Sequence, residues 1–185
     1  MKWKFIAVVT VLLLACIGCK NDTIKTVVKQ LNGKILDFSV NSIYVFPDSV
    51  YKNGTVLDGY KYFAVVDSTL CLSCLSKYVK AIESMTSSWS ISGKDVNIVL
   101  LFNSFNIDDI QKSIYDVNMD RLQIIYDVEN KFLEINKLDG YRNFAQTFLL
   151  DNNNCIQLIG DPLRSNSVQT LYGDYVKELD RKHKK

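Results

Sequence analysis

Apolar and polar positions along this chain switch between two periods, one near 3.6 residues and one near 2, and the switches mark out its elements. Between residues 20 and 32, Ile24, Val27, Val28 and Leu31 fall at helical spacing, and Gly33 ends the run. A short helix is predicted there. Ile35 to Val40 and Ser42 to Phe46 read as short strands, with turn residues at Pro47-Asp48 and around Asn53-Gly54. They form a short N-terminal β extension ahead of the main sheet.

From Lys61 the pattern predicts strand (Lys61 to Asp67), helix (Cys71 to Met85), strand (Asp95 to Asn103), helix (Ile107 to Val117) and strand (Leu122 to Tyr126). Val96 to Phe102 is almost continuously apolar, as expected of a strand covered by helices on both faces. A short helix over Glu129 to Asn136 follows. Two strands, Thr147 to Leu150 and Cys155 to Ile159, flank the Asp151 to Asn154 turn and are close enough to form a hairpin. Ser165 or Asn166 can cap a last helix with Val168, Leu171, Tyr172, Tyr175, Val176 and Leu179 on one face. Parallel βαβ units, a hairpin and a closing helix describe an α/β three-layer sandwich: a mixed central sheet with helices on both faces.

The first residues read differently. Met1 to Lys4 is a basic n-region, Phe5 to Leu14 an apolar stretch broken only by Thr10, and Ala15-Cys16-Ile17-Gly18-Cys19 follows. Residues 1–18 are read as a secretory signal, because the run is short of the ~20 residues that span a bilayer. A small residue before a cysteine at this point is similar to the bacterial lipobox. Cys19, with Gly18 before it and Lys20-Asn21-Asp22 after it, is the preferred lipid attachment; Cys16, followed by apolar Ile17, is the alternative. An ordinary signal peptide with an incidental cysteine is the other reading. Residues 19–32 then form a tether and short helix, and 33–185 one domain.

Composition agrees. The net charge of +2 vanishes with Lys2 and Lys4, so the mature chain lacks the field of a nucleic-acid binder. The basic cluster at Arg181 to Lys185 reads as a solvated helix end. About 165 residues suffice for one core, and 48% apolar residues make the chain globular. Of five cysteines, two lie in the leader, and Cys155 is expected to be a buried free thiol.

The remaining two form Cys71-Leu72-Ser73-Cys74, at the point where a strand hands over to a helix. The positive end of a helix dipole and its unsatisfied N–H groups favour a thiolate there. A second cysteine one turn later can resolve a mixed disulfide. The pattern in this context favours thiol-disulfide exchange, with a structural disulfide or inert thiols as the alternatives. Leu72 and Leu75 could form an apolar lip for peptide-like substrates, or Leu75 could be core. No metal or other cofactor is expected, since the single histidine, His183, lies in the charged tail. Peroxiredoxin-type and phosphate-binding motifs are absent.

From about Gly33 to Leu179 the order of motifs resembles the thioredoxin-like superfamily, and within it the TlpA/ResA-type membrane-tethered thiol-disulfide oxidoreductases. The stretch Tyr62 to Ser68 before the cysteine pair, with Gln146 to Asp151 and Ile159 to Pro162 later, is similar to thioredoxin-like lipoproteins of Gram-negative anaerobes. The resemblance implies catalytic roles for Cys71 and Cys74, with Leu72, Ser73, Gln146 and Thr147 facing substrate. Protein thiols or disulfides are the implied partners of a monomer held in the cell envelope, facing the periplasm, by its lipid. Two positions depart from the family. Gln146 stands where thioredoxins carry a cis-proline, so a trans Ala145-Gln146 bond is expected. Val65 stands where they bury an acid, leaving Asp67 as the nearest carboxylate. The non-catalytic alternative is an anchored binding module on the same fold.

Overall fold

The computed structural model describes residues 24–39, 43–46, 50–51, 58–66, 72–102, 107–114, 121–127, 131–141 and 146–183. Helix α1 covers 24–31, ended by Gly33 at φ +80°. Then come β1 (Ile43–Phe46), β2 (Val50–Tyr51), β3 (Lys61–Val66), α2 (Leu72–Thr86), β4 (Ser90–Ile91), β5 (Lys94–Asp95) and β6 (Asn97–Phe102). The second half holds α3 (Ile107–Ser113), β7 (Leu122–Asp127), α4 (Phe132–Ile135), a 3-10 turn (Asp139–Tyr141), β8 (Thr147–Leu150), β9 (Ile156–Ile159) and α5 (Asn166–His183).

Seven strands form one sheet in the order β2-β1-β7-β6-β3-β8-β9. β3, β6 and β7 run parallel, whereas β8 and β9 form an antiparallel hairpin beside β3, and β1 is antiparallel to β7. The parallel pair takes α2 between its strands, and α5 closes the chain after the hairpin. This is an α/β thioredoxin-like fold.

All six residues of β3 are buried, because both faces of the sheet are covered. Tyr62, Ala64 and Val66 pack with Leu75, Val79 and Ile82 of α2 and Tyr172 and Val176 of α5. Phe63 and Val65 face the other way, toward Val27 and Leu31 of α1 and Phe132 and Leu133 of α4. There Phe63 meets Phe38 edge-on at 5.4 Å and Phe132 at 5.5 Å between ring centroids.

Over its described part, 35–39, the expected 35–40 strand does not form, although its alternation is real: Leu36 and Phe38 are buried and Ile35 is exposed. Only Ile35 bridges Cys155. At Asp37 the Asn136 side chain takes the place of a strand partner, accepting the amide at 2.7 Å and donating to the carbonyl at 2.8 Å. A β4-β5 hairpin precedes the central strand, turning at Ser92 (φ 58°) and Gly93 (φ 73°). Two successive left-handed residues suit a tight hairpin. In α5, Leu171 is exposed instead of lying with its apolar neighbours. Ser165 provides the cap, its Oγ accepting the Val168 amide at 3.4 Å.

A candidate redox site at the start of α2

Cys74 is the third residue of α2, a 15-residue helix with no acidic side chain in its first turn. Nothing there offsets the positive helix end, which stabilises a thiolate. Cys74 is disulfide-bonded and exposed. Cys155 is a free thiol, so the partner of Cys74 lies outside the described residues. Cys71, Asp67, Ala145, the leader with Cys16 and Cys19, and the Leu72 side chain also lie outside them. Ser73 is exposed beside Cys74.

Leu75, the next residue, is fully buried. It belongs to the core and forms no lip. An amphipathic helix seated on β3 must turn this position inward, with Val79 and Ile82 following at i+4 and i+7.

Gln146 and Thr147 lie at the same end of the sheet, where β3 gives way to α2. Thr147 pairs with Ala64 across the β3-β8 ladder, and the half-buried Gln146 accepts the Val65 amide at 2.8 Å through its carbonyl. Thr147 is only 3% exposed, and its side chain lies against the Tyr78 hydroxyl. Tyr78 stands one helical turn after Cys74, so this contact joins the start of α2 to β8. Burial, and then the nearby Asp161 carboxylate, push the Tyr78 hydroxyl above its ordinary range. The Tyr62 hydroxyl lies beside Tyr78 but outside full hydrogen-bonding geometry. Val65 is buried among apolar side chains, which leaves no carboxylate at that position.

Cys155 is half-buried, more open than the sequence suggested. Burial and then Asp151 push its thiol up, which keeps it protonated and a poor nucleophile. Among the described residues no group of three His, Cys, Asp or Glu side chains is placed to hold a metal ion.

No family model matches the sequence, and no curated protein matches it. Solved structures with a similar backbone include the thioredoxin domain of a thiol-disulfide oxidoreductase from Bacteroides vulgatus, at 11% identity, covering 77% of this chain and 99% of that one, with a TM-score of 0.48. A domain of a possible thiol-disulfide isomerase from Cytophaga hutchinsonii is 14% identical over 80% of this chain and 99% of that one, at 0.44. The exposed lipoprotein thioredoxin of Streptococcus pneumoniae is 14% identical over 65% and 85%, at 0.43. At such identity the likeness is one of backbone, and fold alone does not fix chemistry.

Proposed function

We propose that the protein is an exported thiol-disulfide oxidoreductase of the TlpA/ResA type, anchored through lipid on Cys19 in the bacterial envelope. It exchanges a Cys71-Cys74 disulfide with protein thiols or disulfides. The observation that carries this reading is the exposure of a disulfide-bonded Cys74 in the first turn of α2. A structural bridge gains from burial, whereas an exchange site must be reached by a second protein.

In the reducing direction both cysteines begin as thiols. The Cys71 thiolate attacks one sulfur of a substrate disulfide, forming a mixed disulfide and expelling the other substrate sulfur as a thiolate, which takes a proton. The Cys74 thiolate then attacks the Cys71 sulfur. The Cys71-Cys74 bond forms, the second substrate thiol leaves, and two electrons have passed to the substrate. The oxidising direction is the reverse. Leu72 and Ser73 would border the incoming sulfur, with Gln146 on the neighbouring strand.

The test is a redox titration of the mature chain, following Cys71 and Cys74 by alkylation and mass, beside an insulin-disulfide reduction assay. A reversible two-electron couple, with turnover lost in Cys71→Ser, is expected. A bridge that stays closed under strong reductant would refute exchange and leave an anchored binding module.

A further inference from the structure

Five large apolar side chains are conspicuously exposed among the described residues, and four of them, Ile24, Val28, Ile35 and Ile135, lie on one layer of the molecule. That layer is built from α1, the 34–38 segment and α4, whose inward residues share one core cluster. Leu171, on α5, is the exception. On α1, Val27 and Leu31 point into the core, while Ile24 (48% exposed) and Val28 (41%) form a shoulder one turn apart. Lys25 and Lys29, both exposed, lie beside that shoulder on the outward side. The other flank of the helix faces the protein, where Gln30 accepts a hydrogen bond from the Tyr141 hydroxyl at 2.7 Å. Lys34, Lys131 and Lys137 add positive charge to the layer, and Lys34 Nζ donates to the Asn136 carbonyl. Its described acids are Asp37, Glu134 and Asp139, with Asp127 buried beneath the start of α4, against five lysines among the layer's described residues.

We infer that this α1/α4 layer is a docking surface for an anionic phospholipid bilayer. Apolar residues bordered by lysines are what an interfacial helix uses, burying the first among acyl chains and setting the second at headgroup phosphates. Chain length argues for the same occupant. This step rests on the lipid anchor of the proposed function: Ile24 is five residues after Cys19, so its backbone lies within roughly 18 Å of a lipidated Cys19. The shoulder therefore always sits within reach of the membrane. Docking by this layer turns the opposite one, carrying α2 and Cys74, away from the lipid.

The mature chain from residue 19 carrying Cys19→Ser, checked for folding by circular dichroism, separates surface from anchor. It is sedimented with phosphatidylglycerol/phosphatidylcholine vesicles and with phosphatidylcholine vesicles, at low and high salt. Binding to the anionic vesicles, weakened by salt, is expected. Ile24→Asp with Val28→Asp should lower the partition coefficient about tenfold or more, and Lys25→Glu or Lys29→Glu by at least about fivefold each. No binding, or binding that these variants leave unchanged, would overturn the inference. So would a dimer in analytical ultracentrifugation that Ile24→Asp with Val28→Asp dissolves, since a second copy would then cover the surface. Radiolabelled palmitate incorporation by the full chain and its Cys19→Ser variant tests the anchor separately: vesicle binding without labelling keeps the surface and rejects the anchor, and labelling without vesicle binding does the reverse.

Discussion

Leu75 decides how the residues around the cysteine pair divide between chemistry and scaffold. It follows the exposed Cys74 directly, yet its side chain is fully buried against β3 and α2 neighbours. In Leu75→Ala three carbons leave a site closed on all sides, and the loss combines their transfer to water with a cavity that rigid strands cannot fill. For a fully buried leucine that amounts to about 2 to 5 kcal/mol, a large share of a total stability of about 5 to 15 kcal/mol. At an m of about 2 kcal/mol/M the urea midpoint of the oxidised protein should fall by about 1 to 2.5 M, and the thermal midpoint by about 4 to 20 °C. Insulin reduction per folded molecule should stay within about twofold of the parent, because no substrate contact is removed. A midpoint that moves by less than about 0.5 M together with a clear loss of turnover would refute the assignment and make Leu75 a substrate contact.

Two further predictions concern the sheet end opposite the redox site. Asp151 organises the hairpin turn, accepting the Asn153 and Cys155 amides at 2.8 and 2.9 Å and the Gln157 side-chain amide at 3.0 Å; Asp151→Ala should cost about 2 kcal/mol in urea unfolding, with Asp151→Asn recovering over half, and an unchanged midpoint in both would refute this role. Lys61 is buried, its ammonium donating to the Gly59 and Asp151 carbonyls at 2.7 and 3.2 Å, and burial lowers its pKa below 10.5 despite the opposing carboxylates of Asp151 and Asp58. The unfolded chain then binds more protons than the native one between those two pKa values, so stability from this group rises with pH through that window. Buried Tyr62 and Tyr172, whose pKa values are raised chiefly by burial, oppose it only above about pH 10. The slope of the urea midpoint against pH just below pH 10 should therefore be smaller in Lys61→Met than in the parent, and an equal or larger slope in the variant would refute the linkage.

The elements best written in the sequence are those whose burial is set by one dominant packing surface. Val96 to Phe102 announces a doubly covered strand because both its faces meet helices, and Val27 and Leu31 announce α1 because they share a core with Phe63 and Phe132. What periodicity missed depends on side chains distant in sequence. The 35–40 segment has strand alternation, but its ladder is replaced at Asp37 by Asn136, 99 residues away. Helical spacing alone placed Ile24 and Val28 with Val27 and Leu31, because an apolar residue at i+4 looks the same whether it enters the core or stands on its shoulder. At the site, where Cys71 lies outside the described residues, the place of Cys74 in the first turn of α2 was legible from the strand-to-helix switch. The role of Tyr78 was not, because its partner Thr147 comes from a strand whose place in the sheet no local pattern states.

The arrangement around Cys74 explains how an exposed cysteine can sit on an otherwise closed scaffold. Leu75 pins the first turn of α2 from beneath, and one turn on, Tyr78 lies against Thr147 at the start of β8. Thr147 in turn accepts the Gly160 amide through its carbonyl at 2.9 Å, and the Gly160 carbonyl accepts the Tyr172 hydroxyl of α5 at 3.0 Å. These contacts run from α2 by way of the start of β8 and the residue after β9 to α5. Each hydrogen bond among them carries only about 1 kcal/mol net, but a break in any of them leaves a buried polar group unpaired, which costs more than the bond itself contributes. Opening and closing a disulfide in the first turn therefore leaves the floor beneath it intact. A site built in this way can cycle between oxidised and reduced forms as a local event at the surface, which the proposed exchange reaction requires.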